Sequence, residues 1–430
     1  MALGKYDVIV VGGGVTGLAV THDLALRGLK TLLCERGDLL SGTSGKFHGL
    51  LHSGARYAVN DPESAYECAV ENKIIKEIAS HCVEDTGGYF VLMDEEEYYD
   101  EFKKGCKENS IPTKDVDVDE ALREEPGLNP NVKAIVEVQD AVLYAYKFAV
   151  SLGLAAKTNG AEIRTYNEVI GLLKEGRRVV GVKVFDKINK SVYEEDAKMT
   201  VVAAGPWSEK ITRMAGIQDL RMVLTAGTMA VVPYRLSKRV INKMRPPSDG
   251  DILVPYGSVS IVGTTAYVIE DPDDYKIPPE DAEFLMEEGS ALFPAIKRLG
   301  FSRMYSSVRP LVSLGEEMDA RKISRRYEIY DHEELHGIEG LVTAVGGKLT
   351  TCRAMAEAMA DVVCKKLGVK KGCKTKETKL PNPIEALNLE RVKIKGLPEN
   401  LIRRMLDRRG TIDEELLSDA FYIFIASSLW

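Results

Sequence analysis

The apolar positions of the chain follow two periods, and the switches between them outline a fold. Tyr6 to Val11 is a short apolar run, as expected of a strand buried on both faces. Val15 to Gly28 carries apolar residues at helical spacing and closes on a glycine, and Thr31 to Cys34 reads as a second strand. Helices are predicted over 61–80 (Pro62 near its start), 95–109, the end of 113–122, 142–159, 281–293 and 351–367. Strands are predicted over 89–93, 132–138, 162–166, 200–203, 229–233, 252–255, 260–264, 303–308, 327–330 and 341–345. An antiparallel excursion is expected through 167–174, a turn at Glu175 and Gly176, 179–186 and 192–195.

The order is a βαβ start, strand-rich inserts, then a return to an apolar strand before a glycine-rich helix start. That order predicts an α/β fold with an α+β insert: a discontinuous Rossmann-like nucleotide-binding domain holding an antiparallel-sheet substrate domain. The expected division gives 1–85, 140–215 and 335–370 to the first and 86–139 and 216–334 to the second. Residues 370–382 read as a linker, and 371–430 as a small, mostly helical C-terminal segment.

The turn after the first strand gives the fold a candidate ligand. Gly12, Gly14 and Gly17 stand in G-x-G-x-x-G spacing. Gly12 allows the tight turn, Gly14 lets a pyrophosphate approach the backbone, and Gly17 lets helix and strand pack closely. The helix N-terminus, at Val15 and Thr16, offers N–H groups and a positive dipole end to phosphates. Glu35 ends the second strand, where it can accept hydrogen bonds from an adenosine ribose. An acid at that position favours FAD or NAD over NADP.

Composition narrows the partners. The chain has 430 residues, 45% hydrophobic and 28% charged, with a net charge of −8, so no broad basic field advertises nucleic-acid binding. No apolar run reaches the length of a membrane span, and Tyr6 leaves no room for a leader before the first strand. The seven cysteines form no C-x-x-C, which points to reduced thiols in a cytoplasmic protein and to no metal site.

A second informative stretch is SGTSGKFHGLLHSGARY, residues 41–57. Its glycines preclude a regular core element, and His48, His52, Arg56 and Tyr57 cluster close behind the dinucleotide turn. It reads as backbone laid along a ligand with side chains turned toward it.

These pieces, with VVAAGPWS, IVGTT, SSVRPLV, ISRRYEIYDH and GLVTAVGGKLTT, resemble the FAD-dependent sn-glycerol-3-phosphate dehydrogenases of the D-amino-acid-oxidase-like superfamily, in particular their anaerobic bacterial branch. The resemblance runs from residue 6 to about 370. It implies an extended FAD with its adenosine on the first βαβ and its flavin between the domains. A hydride passes from the substrate carbinol to flavin N5, and dihydroxyacetone phosphate leaves. Electrons then pass to a quinone or a partner subunit.

Carried over by residue, the resemblance implies that Arg56, Arg309, Arg325 and Lys348 are the basic active-site positions. Arg309 and Arg325 are expected to bind the phosphate, and Arg56, Tyr57 and Lys348 to lie nearer the reacting hydroxyl. The cofactor contacts implied are those of the βαβ with Arg36, then Thr43, Ser44, His48, Gly49 and Leu50, then Val169, Ala204 and Gly205, then Gly346, Gly347, Lys348, Leu349 and Thr350. Two readings stand for His52: a base or hydrogen-bonding group beside the flavin, or a neutral ring that orients the loop. The implied substrate is a small phosphorylated polyol. The alternatives are a 2-hydroxyacid such as 2-hydroxyglutarate held by the same arginines, and a flavin subunit that only relays electrons.

The chain departs from the family's pattern in two places. Met229 stands where some relatives carry a histidine, and Ala226 where others carry a lysine. The cysteine-rich C-terminal domain of the anaerobic branch has no counterpart in 371–430, which hold only Cys373, so no iron–sulfur module is expected. His332-Glu333-Glu334-Leu335-His336 spells the H-E-x-x-H zinc motif, but it follows a strand and meets Gly337 at once, so no zinc site is expected. The terminal AFYIFIASSLW is too short to span a bilayer; it would dock on the body or another subunit, or lie weakly on the inner face of a membrane.

Overall fold

The structure is a computed structural model that describes residues 5–94, 96–220, 222–312 and 326–383. Two large sheets organise it. In the first, five strands run parallel in the order Glu162–Arg164, Thr31–Cys34, Tyr6–Val11, Ser191–Val202, Leu341–Gly346, and Tyr327–Asp331 adds an antiparallel edge. From Val8 to Val11 the strand Tyr6–Val11 is apolar on both sides because both faces are covered, while Asp7 at its start is partly exposed and pairs with Lys198. Val8 and Val10 pack toward helices Val15–Leu26, Ala145–Thr158 and Cys352–Leu367, while Ile9 and Val11 face Val182, Val184 and Ile211 on the other side.

The second sheet has nine strands and is antiparallel except where Val240–Lys243 runs parallel to Gly88–Leu92. Its longest partnership joins Met222–Val232 to Arg303–Val312, from Met222 opposite Val312 to Val231 opposite Arg303. Helix Glu280–Leu292 seals it through Leu285 and Leu292, both fully buried.

Several predicted elements change shape. The strands expected at 192–195 and 200–203 are one strand, Ser191–Val202. Its first half closes the antiparallel hairpin with Arg178–Asp186, and its second half enters the parallel sheet. The helix expected over 142–159 begins later, because Ala141–Leu143 is a strand paired with Leu50–Leu51 and Val83–Glu84 in a third, small sheet. The helix expected from Thr351 is preceded by a single tight turn, Leu349–Thr351.

Of the predicted C-terminal segment, residues 371–382 run without a regular helix, as expected of a linker, with the Leu380 N–H donating to the Ile78 carbonyl at 2.7 Å, and Pro383 has helical backbone. Its remainder, with the AFYIFIASSLW run, lies outside the described residues. Among the described residues no helix is long and apolar enough to cross a membrane. All seven cysteines are free thiols.

Candidate active site

Five segments leave the parallel sheet at the carboxyl ends of its strands: those after Val11, Cys34, Arg164, Val202 and Gly346. In an open parallel sheet that edge is where a crevice forms. Two cavities open there, of about 240 and about 920 Å³. Thr16, Thr43, Ser44, Gly205, Pro206 and Gly346 line both, so the two form one trough.

The smaller cavity is walled by glycine-containing turns and by side chains. Gly12, Gly14, Thr16, Glu35 and Arg36 line it, joined by Thr43, Ser44, Val169, Ala204, Gly205 and Gly346. Gly12 sits at φ +113°, and a Cβ there would come within 2.6 Å of the Ala203 carbonyl oxygen, so the turn admits no side chain. Gly14 is the N-cap of the twelve-residue helix and has no side chain of its own to cap it, and the helix N-terminus faces the trough. The Val15 N–H reaches Ser44 Oγ at 3.2 Å. Glu35 accepts from the Gly13 N–H at 2.6 Å and from the Gly37 N–H at 2.7 Å, which pins its carboxylate at the cavity wall. Backbone donors, a helix end and a fixed carboxylate suit the pyrophosphate and ribose of an extended dinucleotide. Gly17 lines neither cavity; a Cβ there would meet the Gly12 carbonyl oxygen at 1.9 Å, so its place is the helix–strand contact.

The larger cavity is walled by side chains. Val15, His48, Leu50, His52, Arg56 and Tyr57 line it from one direction. Arg309 comes from the second sheet, and Gly347, Lys348, Leu349 and Thr350 from the turn after the last parallel strand. Gly49 stands behind this wall, against the Tyr256 ring. Arg325 lies outside the described residues.

The cationic groups are held by specific partners. Arg309 Nη2 donates to Thr264 Oγ1 at 3.0 Å and to the Thr265 carbonyl at 2.5 Å. It passes directly over Gly227, where a Cβ would lie 1.9 Å from Nη2. Arg56 donates through Nη2 to the Ser248 carbonyl at 2.8 Å and pairs through Nη1 with the buried Asp251 at 3.0 Å. Lys348 Nζ sits 5.1 Å from the Tyr57 ring centroid, a cation–π distance.

The two histidines of the 41–57 stretch are neutral. Leu50 donates its N–H to His48 Nδ1 at 3.1 Å, so the neutral ring carries its proton on Nε2. Burial, then the charges of Arg56 and Arg309, push His48 down to about 3. Burial first, then His48, Arg56 and Lys348, hold His52 well below the usual imidazole range. The His52 N–H donates to Thr350 Oγ1 at 3.1 Å, and its ring lies 5.3 Å from that of Tyr57.

Some of the site escaped the sequence. Arg326 lines the larger cavity and pairs with Glu63 at 2.8 Å. It follows Arg325 directly, so its motif was visible but its orientation was not. Met229 and Gly227 line the same cavity, whereas Ala226 is buried away from it. The His332–His336 stretch is a single helical turn in which His332 Nε2 meets Thr343 Oγ1 at 2.8 Å and His336 Nε2 meets Asp219 Oδ1 at 3.0 Å. Among the described residues no group of three or more His, Cys, Asp or Glu is placed to hold a metal ion.

Comparison with known proteins agrees with this geometry. Residues 7–362 match the FAD dependent oxidoreductase family. The chain is 39% identical over 417 residues to an anaerobic glycerol-3-phosphate dehydrogenase subunit of Escherichia coli K12, covering 96% of this chain and 77% of that protein. It is 38% identical over 427 residues to an anaerobic glycerol-3-phosphate dehydrogenase subunit of Haloferax volcanii, covering 96% of this chain and 72% of that one. Among solved structures, it is similar to the glycerol-3-phosphate dehydrogenase from Bacillus halodurans complexed with FAD, with a TM-score of 0.71 and 21% identity over 98% of this chain and 81% of that chain.

Proposed function

The chain belongs to the FAD dependent oxidoreductase family, and from that premise we propose that it oxidises the secondary alcohol of sn-glycerol 3-phosphate to the ketone of dihydroxyacetone phosphate. FAD, when bound, supplies the two-electron acceptor for the carbinol hydrogen. The smaller cavity fits its adenosine and pyrophosphate, with Gly12, Gly14, Glu35 and the helix end as the holding groups.

The observation that carries the substrate is the cationic wall of the larger cavity. Arg56, Arg309, Arg326 and Lys348 all line it, and a phosphate dianion takes several charge-assisted donors. Carboxylates line it too, but they have partners within the fold: Asp61 accepts from the Ser64 N–H at 3.2 Å, Asp249 from the Ala266 N–H at 3.1 Å, and Glu63 pairs with Arg326. Arg309 is a phosphate ligand in this reading, because Thr264 and Thr265 fix its guanidinium; Arg325 is carried over as a second ligand from the resemblance alone. Lys348 and Arg56 supply positive potential where the hydroxyl loses its proton. His52, neutral in the resting site, either holds the hydroxyl by a hydrogen bond or accepts its proton and carries the positive charge for that step.

The same reading gives residues 1–85, 140–215 and 335–370 to cofactor binding and 86–139 and 216–334 to substrate binding. Electrons leave to a quinone or to a partner protein, in keeping with relatives that are subunits. The terminal apolar run and a second copy of the chain are the contacts proposed beyond that.

The test is turnover with a dye acceptor. Dihydroxyacetone phosphate should form from sn-glycerol 3-phosphate, while glycerol and 2-hydroxyglutarate should leave the dye unreduced. Faster reduction by 2-hydroxyglutarate would move the arginines to a carboxylate and overturn the assignment.

A further inference from the structure

We propose that Asp273 is a clasp that closes the adenosine end of the trough and sets how fast the cofactor leaves, an inference that rests on the FAD reading above. Asp273 lies in the loop after Tyr267–Val268, an edge strand of the second sheet that pairs with Met222–Val232. Three donors from the other side of the crevice converge on its carboxylate. Arg36 Nη2 donates to Oδ1 at 2.9 Å and Trp207 Nε1 to the same oxygen at 2.8 Å; Lys210 Nζ donates to Oδ2 at 2.9 Å.

Each donor comes from a different element: the end of the second parallel strand, the Gly205–Trp207 turn, and helix Ser208–Met214. All three line the smaller cavity, and Asp273 stands behind them. The Arg36 guanidinium also lies 4.2 Å from the Trp207 ring centroid, and the indole packs on Gly42, where a Cβ would lie 3.0 Å from the ring. Asp271 buttresses the arrangement by accepting from the Asp273 N–H at 2.9 Å and from Lys210 Nζ at 3.0 Å.

One carboxylate therefore ties together three wall residues from three elements. It is also the point where the second sheet grips the dinucleotide end rather than the substrate end. The Asp273 side chain is 43% exposed and those of Arg36 and Lys210 are 37% and 48% exposed. Water and salt can compete for these bonds, so the clasp opens and closes instead of forming a permanent wall.

The experiment follows the rise of free-flavin fluorescence after dilution of the holoprotein, for the wild type and Asp273→Asn, at low and high ionic strength. Asp273→Asn should release FAD about tenfold faster at low salt, as expected when charge-assisted bonds to one carboxylate weaken together. Salt should speed the wild type toward the variant's rate and leave the variant nearly unchanged. Trp207→Phe, which keeps the ring under Arg36 but deletes the Nε1–H donor, should show a smaller acceleration of the same sign.

Asp115→Asn, which removes an exposed carboxylate paired with Lys103, should release at the wild-type rate. Equal rates and equal salt dependence in a flavin-loaded Asp273→Asn would overturn the clasp and leave the FAD reading intact, as would an Asp115→Asn that released just as fast as Asp273→Asn. A wild-type protein that takes up no FAD would overturn both.

Discussion

At the end of the trough proposed for the dinucleotide, the features that meet the ligand are set by the backbone: a glycine at positive φ, a helix N-terminus and a carboxylate pinned by two N–H groups. At the substrate end the wall is charge: arginines and a lysine, each steered by a partner far away in sequence. The first end recognises by letting the ligand come close, so it is intolerant of added atoms. The second recognises by aiming long side chains, so it is intolerant of anything that lets them swing. The same molecule should therefore fail in two distinguishable ways.

The largest effect is expected at the backbone end. Gly12→Ala puts a Cβ within 2.6 Å of the Ala203 carbonyl oxygen at φ +113°, a strain of at least about 3 kcal/mol when clash and dihedral are combined. The purified variant should be colourless, as its flavin-to-protein absorbance ratio will show. A yellow Gly12→Ala protein would break the contrast.

At the charge end, Arg309→Ala should keep the flavin and raise KM for sn-glycerol 3-phosphate about a hundredfold, the cost of about 3 kcal/mol for losing a charge-assisted pair. Steady-state kinetics on the flavin-loaded variant measures it. Gly227→Ala sharpens the point, because it touches no charge. The new Cβ would sit 1.9 Å from Arg309 Nη2 and 2.5 Å from the Thr265 carbonyl oxygen that anchors it, so the guanidinium and its anchor must both shift. KM should rise about tenfold, roughly 1.4 kcal/mol, with flavin content unchanged; no change in KM would mean that Arg309 is not the anchor.

How much of this was legible follows the same division. The dinucleotide end could be read from glycine spacing and strand periodicity, because backbone requirements are local and leave their mark at fixed offsets. Gly12, Gly14 and Glu35 were placed that way. The substrate end could be read only as a collection of residues. That Arg56 is held by Asp251, or Arg309 by Thr264 and Thr265, depends on strand pairing across the second sheet, which no local pattern encodes.

The errors in the fold have similar causes. Val142 and Leu143, of the strand Ala141–Leu143, read as the start of the following helix because so short an apolar run fits either period. Ser191–Val202 was divided because its first half has one face in water and alternates, while its second half is buried on both faces. The clasp at Asp273 left no signal, since acidic loop residues are common and its three partners lie 63 or more positions away.

A further effect, confined to acid pH, concerns the scaffold under the dinucleotide end. His22, on the helix that presents its N-terminus to the trough, is buried, and desolvation lowers it to about 4. The folded state thus refuses a proton that the unfolded chain accepts below about 6.5. Its contribution is complete above that pH and is lost as pH falls from 6.5 toward 4, by about 2 kcal/mol at pH 5. Urea unfolding of His22→Leu should show a shallower fall in stability across that window than the wild type. Equal slopes would place the acid sensitivity elsewhere.

The central claim joins the two ends: a flavin held by backbone receives electrons from a phosphorylated alcohol held by charge. Its most direct test is anaerobic. The protein is loaded with FAD, its spectrum is recorded without oxygen, and sn-glycerol 3-phosphate is added, with glycerol as the comparison. The account predicts that the flavin bleaches with the phosphate ester and stays yellow with glycerol. A flavin that stays oxidised with both would contradict it, leaving a dinucleotide site without the proposed chemistry.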